Sequence, residues 1–180
     1  TDGNNSMTLT DIIAAEDEKV TLACLASLNT VGKLIPTLGN PQEEIEMILW
    51  FCLDRQPDKS LNHSFDPAAL KSIEASGVLT KMIVPGDNAL PRLDDNFWTK
   101  VAGINSRYST HLAAVHQSDP VKDRLTTGRE NLWGELVALY LNTPGRFTCT
   151  EVPGHPAIEC YYPGTPENLA ALYLEALEEK

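Results

Sequence analysis

The feature that most constrains the fold is the stretch Asn40 to Asp54, NPQEEIEMILWFCLD, in which a helix-start signature runs into seven consecutive apolar residues, Met47 to Leu53. Asn40 can cap, Pro41 suits the first helical position, and Glu43 places a carboxylate where the helix dipole favours negative charge. Read as a helix, Ile45, Ile48, Leu49 and Cys52 form one apolar stripe, while Met47, Trp50, Phe51 and Leu53 cover most of the remaining circumference. Such a helix must be wrapped on several sides. A buried strand is the competing reading of the same run, and the cap and the proline favour helix.

The flanking sequence supplies neighbours for it. A first helix is expected from Thr8 or Thr10, past the acidic turn Glu16 to Glu18, to about Leu34, where Gly32 and Pro36 stop it. Packed on the central segment, it would make a helical hairpin. Asp66-Pro67 repeats the cap-plus-proline signature ahead of a short helix that Gly77 ends, and the β-branched run Val78 to Val84 reads as a strand. Phe97, Val101, Ile104, Tyr108, Leu112 and Val115 recur at helical spacing, so one long helix is expected there. Arg129 to Leu141, with a wide apolar face of Leu132, Trp133, Leu136, Val137, Leu139 and Tyr140, predicts another, and Thr165-Pro166-Glu167 opens an amphipathic helix carrying Leu169, Leu172, Tyr173 and Leu177. The expected fold class is mainly α (α+β). It is a single-domain helical bundle around a buried central helix (about 40–54), with a C-terminal β-hairpin (about 147–162). Residues 1–7 are expected to be disordered, and 8–180 to form a single globular helical domain.

From Phe147 to Tyr162 the apolar period changes from helical to alternating. A hairpin loop centred between Gly154 and His155 opposes Phe147 to Tyr162, Cys149 to Cys160 and Glu151 to Ile158. Pro156 lacks the amide of a tight two-residue turn, so a four-residue loop closed by Val152 and Ala157 is expected. Directly opposed strand residues have Cα atoms about 4.5–5.5 Å apart, within disulfide reach. Cys149 and Cys160 are therefore the candidate disulfide, formed in an oxidising compartment and reduced in cytoplasm. The chain shows no basic-then-apolar leader, and its other two cysteines lie in apolar runs, so a cytoplasmic location with reduced thiols is expected, secretion being the alternative. Two N-x-S sequons, at Asn4 and Asn62, would matter only in a secreted protein.

With 25 acidic against 14 basic residues, the net charge of −11 repels phosphate and anionic lipid over most of the surface. Neither nucleic acid nor membrane is expected as a partner, and no apolar run approaches the length of a membrane helix. The four cysteines form no C-x-x-C pair, and phosphate-cradling glycine loops, nucleophile elbows and zinc-binding helix motifs are missing, so no cofactor and no metal site are expected.

Among candidate catalytic groups, His63 lies between Asp58 and Asp66 in a polar loop, where a carboxylate could orient it as a base. His111 falls about 40° from the middle of the long apolar stripe and His116 about 100° from it, a poor arrangement for shared metal binding. His111 is expected to be a boundary residue and His116 a surface one. Cys149 and Cys160 are the thiol candidates. Cys52, flanked by Trp50, Phe51 and Leu53, reads as an inert core thiol, and Cys24 likewise. The charge and the missing motifs favour a non-enzymatic interaction module, an adaptor or inhibitor whose acidic surface binds a protein partner with a basic surface. The alternatives are a small hydrolase or transferase using a His/carboxylate or Cys-based site, and a secreted or virion-associated domain with a hairpin disulfide.

Overall fold

A computed structural model of the chain describes residues 8–86, 90–91, 93–119, 121–126 and 134–178. The segment 1–7, expected to be disordered, lies outside the described residues, as do the Asn4 sequon and the start of the helix expected over Arg129 to Leu141. The chain divides into two compact units, residues 1–84 with 149–160, and residues 85–148 with 161–180.

The first unit corrects the expected helical bundle: it is α/β, built on a five-stranded sheet in the order β1-β2-β3-β5-β4. Its elements are α1 (Leu9–Ala14), β1 (Val20–Cys24), α2 (Asn29–Leu34), α3 (Pro41–Glu44), β2 (Ile45–Phe51), α4 (Leu61–Ser64), α5 (Pro67–Ser76), β3 (Thr80–Val84), β4 (Thr148–Glu151) and β5 (Ile158–Tyr161). The buried central helix expected over 40–54 is absent. The Asn40-Pro41 signature starts only the single turn of α3, without a side-chain cap from Asn40, and the apolar run continues as strand β2.

The reason lies in where that run sits. β2 pairs in parallel with β1 on one side, Leu22 opposite Ile48 and Cys24 opposite Trp50, and with β3 on the other, Leu49 opposite Lys81 and Phe51 opposite Ile83. A parallel strand inside a sheet is covered on both faces, so it needs apolar side chains at odd and even positions alike. Ile48, Leu49 and Trp50 are accordingly fully buried, and Phe51 nearly so. The expected helical hairpin fails for the same reason: Val20 to Cys24, read as helix, is the sheet's edge strand β1.

The helix signals hold where they are local. Asp66 accepts a hydrogen bond from the Ala69 amide, Pro67 opens α5, and Gly77 at φ 71° ends it in the left-handed conformation that glycine tolerates. Asp66 also accepts from the Asn29 side-chain amide, tying the start of α5 to α2. The two helices approach so closely at Gly32 that a Cβ there would lie 2.6 Å from the Cβ and 2.7 Å from the Cα of Ala69. Gly32→Ala should therefore cost about 1–3 kcal/mol in urea unfolding through overpacking, although alanine is the better helix former. A neutral or stabilising effect would refute this contact.

The hairpin does not stand apart beside a bundle. Its strands complete the sheet, with β5 next to β3 and β4 outermost. The loop is closed by a Val152 amide to Ala157 carbonyl bond of 3.2 Å, and Cys149 and Cys160 are joined by a disulfide with Cα atoms 4.1 Å apart. Because β5 is interior, both of its faces are covered, and Glu159 is only 8% exposed.

The second unit is helical, with α6 (Asp95–Gly103), α7 (Arg107–His116), α8 (Val121–Thr126), α9 (Glu135–Asn142) and α10 (Pro166–Glu178). The single long helix expected from Phe97 to Val115 breaks after Gly103: Asn105 takes a left-handed φ of 55°, and Ser106 starts α7 with a reciprocal capping box to Ser109. Only the first half of the expected stripe is core. Phe97, Trp98 and Val101 are buried, with Phe97 packed against Tyr173 of α10, whereas Tyr108 is 74% and Val115 41% exposed. Among the described residues no helix is long and apolar enough to cross a membrane.

Candidate functional site

In open α/β sheets, ligands bind outside the carboxyl ends of the parallel strands. Here the chain leaving β2 folds back over that end through residues 52–66, and side-chain bonds to the backbone set its path. The Asn62 side-chain amide donates to the Phe51 carbonyl at 3.0 Å, the buried Ser60 hydroxyl accepts from the Leu53 amide at 3.3 Å, and the Asp54 carboxylate accepts from the Gln56 amide at 2.8 Å. The Asn62 amide nitrogen is thus engaged in holding the loop.

This folding back places His63 beside Asp58: His63 Nε2 lies 3.6 Å from Asp58 Oδ1. Asp66, the other flanking carboxylate, is committed to capping α5. A second imidazole arrives from the hairpin tip. His155 Nδ1 is 2.9 Å from Glu74 Oε1 on α5, while its Nε2 is 3.9 Å from Asp58 Oδ2. Asp58 is therefore shared by two imidazoles. The His63 side chain is 13% exposed and that of His155 22%, against 69% for Asp58, so the rings are sheltered and the carboxylate between them is wet.

Chemically, the arrangement can hold and move protons. Glu74 Oε1 is placed to accept from His155 Nδ1 in the tautomer that carries its proton there, while Nε2 faces Asp58. Next to the cluster, Arg55 Nε lies 3.2 Å from Glu159 Oε1, which supplies the buried carboxylate with its countercharge. Glu151, Val152, His155 and Ile158 line an open cleft at the hairpin tip. Among the described residues, no three His, Cys, Asp or Glu side chains converge closely enough to hold a metal ion.

The other sequence candidates fall elsewhere. Cys149 and Cys160 are bonded to each other and present no thiol. Burial pushes the Cys24 thiol up to about 11. Cys52 is also pushed up by burial, with bonds from Ser60 and the Asp54 amide pulling the other way. At neutral pH neither is a thiolate nucleophile. In the second unit, His111 is exposed and lines a shallow cleft with Arg107, Tyr108 and Thr110. It is His116, expected at the surface, that packs: its ring stacks on Trp98 at 4.0 Å, and its Nδ1 lies 2.8 Å from the Leu112 carbonyl oxygen. Their expected roles are reversed because the break at Asn105 restarts the helical phase. Sequence reasoning misses Glu74, since nothing about a glutamate in the middle of α5 points to a histidine 81 residues away.

No protein-family model matches the chain, and no curated protein matches it. In fold it is similar to several solved structures. A plant nucleoside hydrolase superposes with a TM-score of 0.68 at 12% identity over 95% of this chain and 65% of its own. The inosine-uridine preferring nucleoside hydrolase from Bacillus anthracis does so with a TM-score of 0.67 at 11% identity over 96% and 64%. For the purine-preferring ribonucleoside hydrolase from Gardnerella vaginalis the TM-score is 0.65 at 14% identity over 94% and 63%. The chain thus spans 63–65% of the length of these enzymes. These matches also correct the expectation of an adaptor- or inhibitor-type helical domain, since the fold is the one shared by these three hydrolases; it is shared as well by an effector protein, with a TM-score of 0.63 at 16% identity.

Proposed function

We propose that the chain is a hydrolytic module acting on ribonucleosides, splitting the bond between base and ribose with water. The observation that carries this reading is the fold, which aligns over 94–96% of the chain with three nucleoside hydrolases. Two features of the chain support it. Polar groups collect at the carboxyl end of β2, the place where α/β sheets bind ligands. Among them, His63 and His155 can deprotonate the attacking water or protonate the departing base, with the Asp58 carboxylate beside both rings to orient them. In the balanced reaction, water oxygen bonds to C1′ of the ribose, the bond from C1′ to the base nitrogen breaks, and the base takes up a proton.

Charge narrows the substrate further. A net charge of −11 opposes an anionic phosphate and is indifferent to an uncharged sugar with its base, so the module should prefer nucleosides to nucleotides. The test incubates the full chain with inosine and uridine, and separately with their 5′-monophosphates, and assays reducing ribose or ribose 5-phosphate. Release from a nucleoside at least about tenfold faster than from its monophosphate is expected, and the gap should narrow as salt screens the charge. Absence of sugar release from every nucleoside would overturn the reading.

A further inference from the structure

We infer that the Cys149–Cys160 disulfide is a redox-operated catch that holds His155 between Glu74 and Asp58, and that a dithiol reductant releases it. Three observations carry this. First, β4 is the outermost strand, and three of its four residues are exposed, so apolar burial anchors it only weakly. Second, the disulfide closes a short loop, its cysteines lying at a sequence separation of 11, and His155 sits in the middle of that loop. Its backbone is positioned there by its own amide bond to the Val152 carbonyl at 3.1 Å and by Gly154 at φ 82°. Third, the bond has one accessible and one sheltered end, because Cys149 is exposed and Cys160 fully buried.

The chemistry follows from that asymmetry. One thiolate of the dithiol attacks the Cys149 sulfur, and the Cys160 sulfur leaves as a thiolate. The second thiol of the reductant then displaces Cys149 from the mixed disulfide. Two electrons and two protons pass to the chain, which ends with two thiols, and the reductant ends as a cyclic disulfide. With the cross-link gone, the outer strand and the tip are ordered only by a four-residue ladder, the Val152 amide bond to the Ala157 carbonyl and the burial of those two side chains, against the entropy of the opened loop. His155 then leaves its hydrogen bond to Glu74, while Asp58 and His63, both on the segment following β2, stay together.

The catch is a statement about the position of His155. Its consequence for catalysis rests on the hydrolase reading, and two separate readouts keep the two apart. Hydrogen exchange and the imidazole resonances of His155 report the catch, and ribose release reports the activity. The full chain is compared oxidised, reduced with dithiothreitol, and as Cys149→Ser/Cys160→Ser. Reduction and the double substitution should each speed exchange over residues 149–160 by about tenfold or more and move the His155 resonances to those of a solvated imidazole. Exchange in β2 and β3 should stay unchanged. Oxidised Glu74→Gln should shift the His155 resonances while leaving hairpin exchange slow. Unaltered His155 resonances on reduction would overturn the catch, and so would loss of protection throughout the sheet, since the bond would then hold the whole unit. If no nucleoside is hydrolysed but His155 moves as expected, the catch stands and the hydrolase reading falls.

Discussion

Trp50→Ala should cost the protein about 3–5 kcal/mol, the range for deleting a large aromatic from a packed core, and lower the urea midpoint by about 2 M. Trp50 is fully buried in the middle strand of the parallel trio, opposite Cys24 on one neighbour and Met82 on the other. Its loss removes the largest fully buried side chain of the described core. It also strips the Ala26 carbonyl of the indole N–H that donates to it at 3.0 Å, worth about 1 kcal/mol more if no water enters. Trp50→Phe separates the two contributions: it keeps most of the apolar volume, so its cost should be about half that of alanine or less. Far-UV circular dichroism follows the unfolding without relying on the deleted fluorophore. An alanine cost under about 1 kcal/mol would mean that β2 is not the centre of the core.

The same strand explains what the sequence could and could not reveal. In Ile45 to Phe51, burial on both faces erases the alternation that marks a half-exposed strand, leaving a run whose period fits helix as well. The Asn40-Pro41 start then tipped the reading the wrong way: it is a real helix start, but α3 lasts one turn. Val20 to Cys24 was lost similarly, its five residues absorbed into a longer helical pattern. By contrast α5 was legible, because Asp66, Pro67 and Gly77 act within a few residues of themselves. The opposition of Cys149 to Cys160 could be read from alternation in a hairpin with one polar face. The sheet that this hairpin joins could not, because strand order is decided by contacts distant in sequence. The candidate site divides along the same line. Asp58 and His63 are five residues apart in one polar loop and could be paired by eye, whereas His155 and Glu74 meet only once β5 lies beside β3.

If the cluster performs the chemistry, His63→Ala should lower kcat for nucleoside hydrolysis by about 10²–10⁴, the usual share of a positioned acid or base, with KM changed little. The asymmetry of the cluster makes the prediction sharper. Asp58 can act only by orienting and charging its neighbours, since its side chain is 69% exposed and contacts both rings at 3.6 and 3.9 Å. Asp58→Asn preserves shape and removes the charge, so its effect should be the smaller, about tenfold. Combined with His63→Ala it should add almost nothing, because an orienting group has no function once the oriented group is gone. His63→Gln discriminates between roles: it can keep a polar contact to Asp58 without titrating, so a structural histidine would be rescued and a proton carrier would not. Thermal midpoints within about 2 °C of the parent would exclude unfolding as the cause. A kcat within about threefold of the parent in His63→Ala would remove this histidine from the reaction and return the Asp58 cluster to loop architecture.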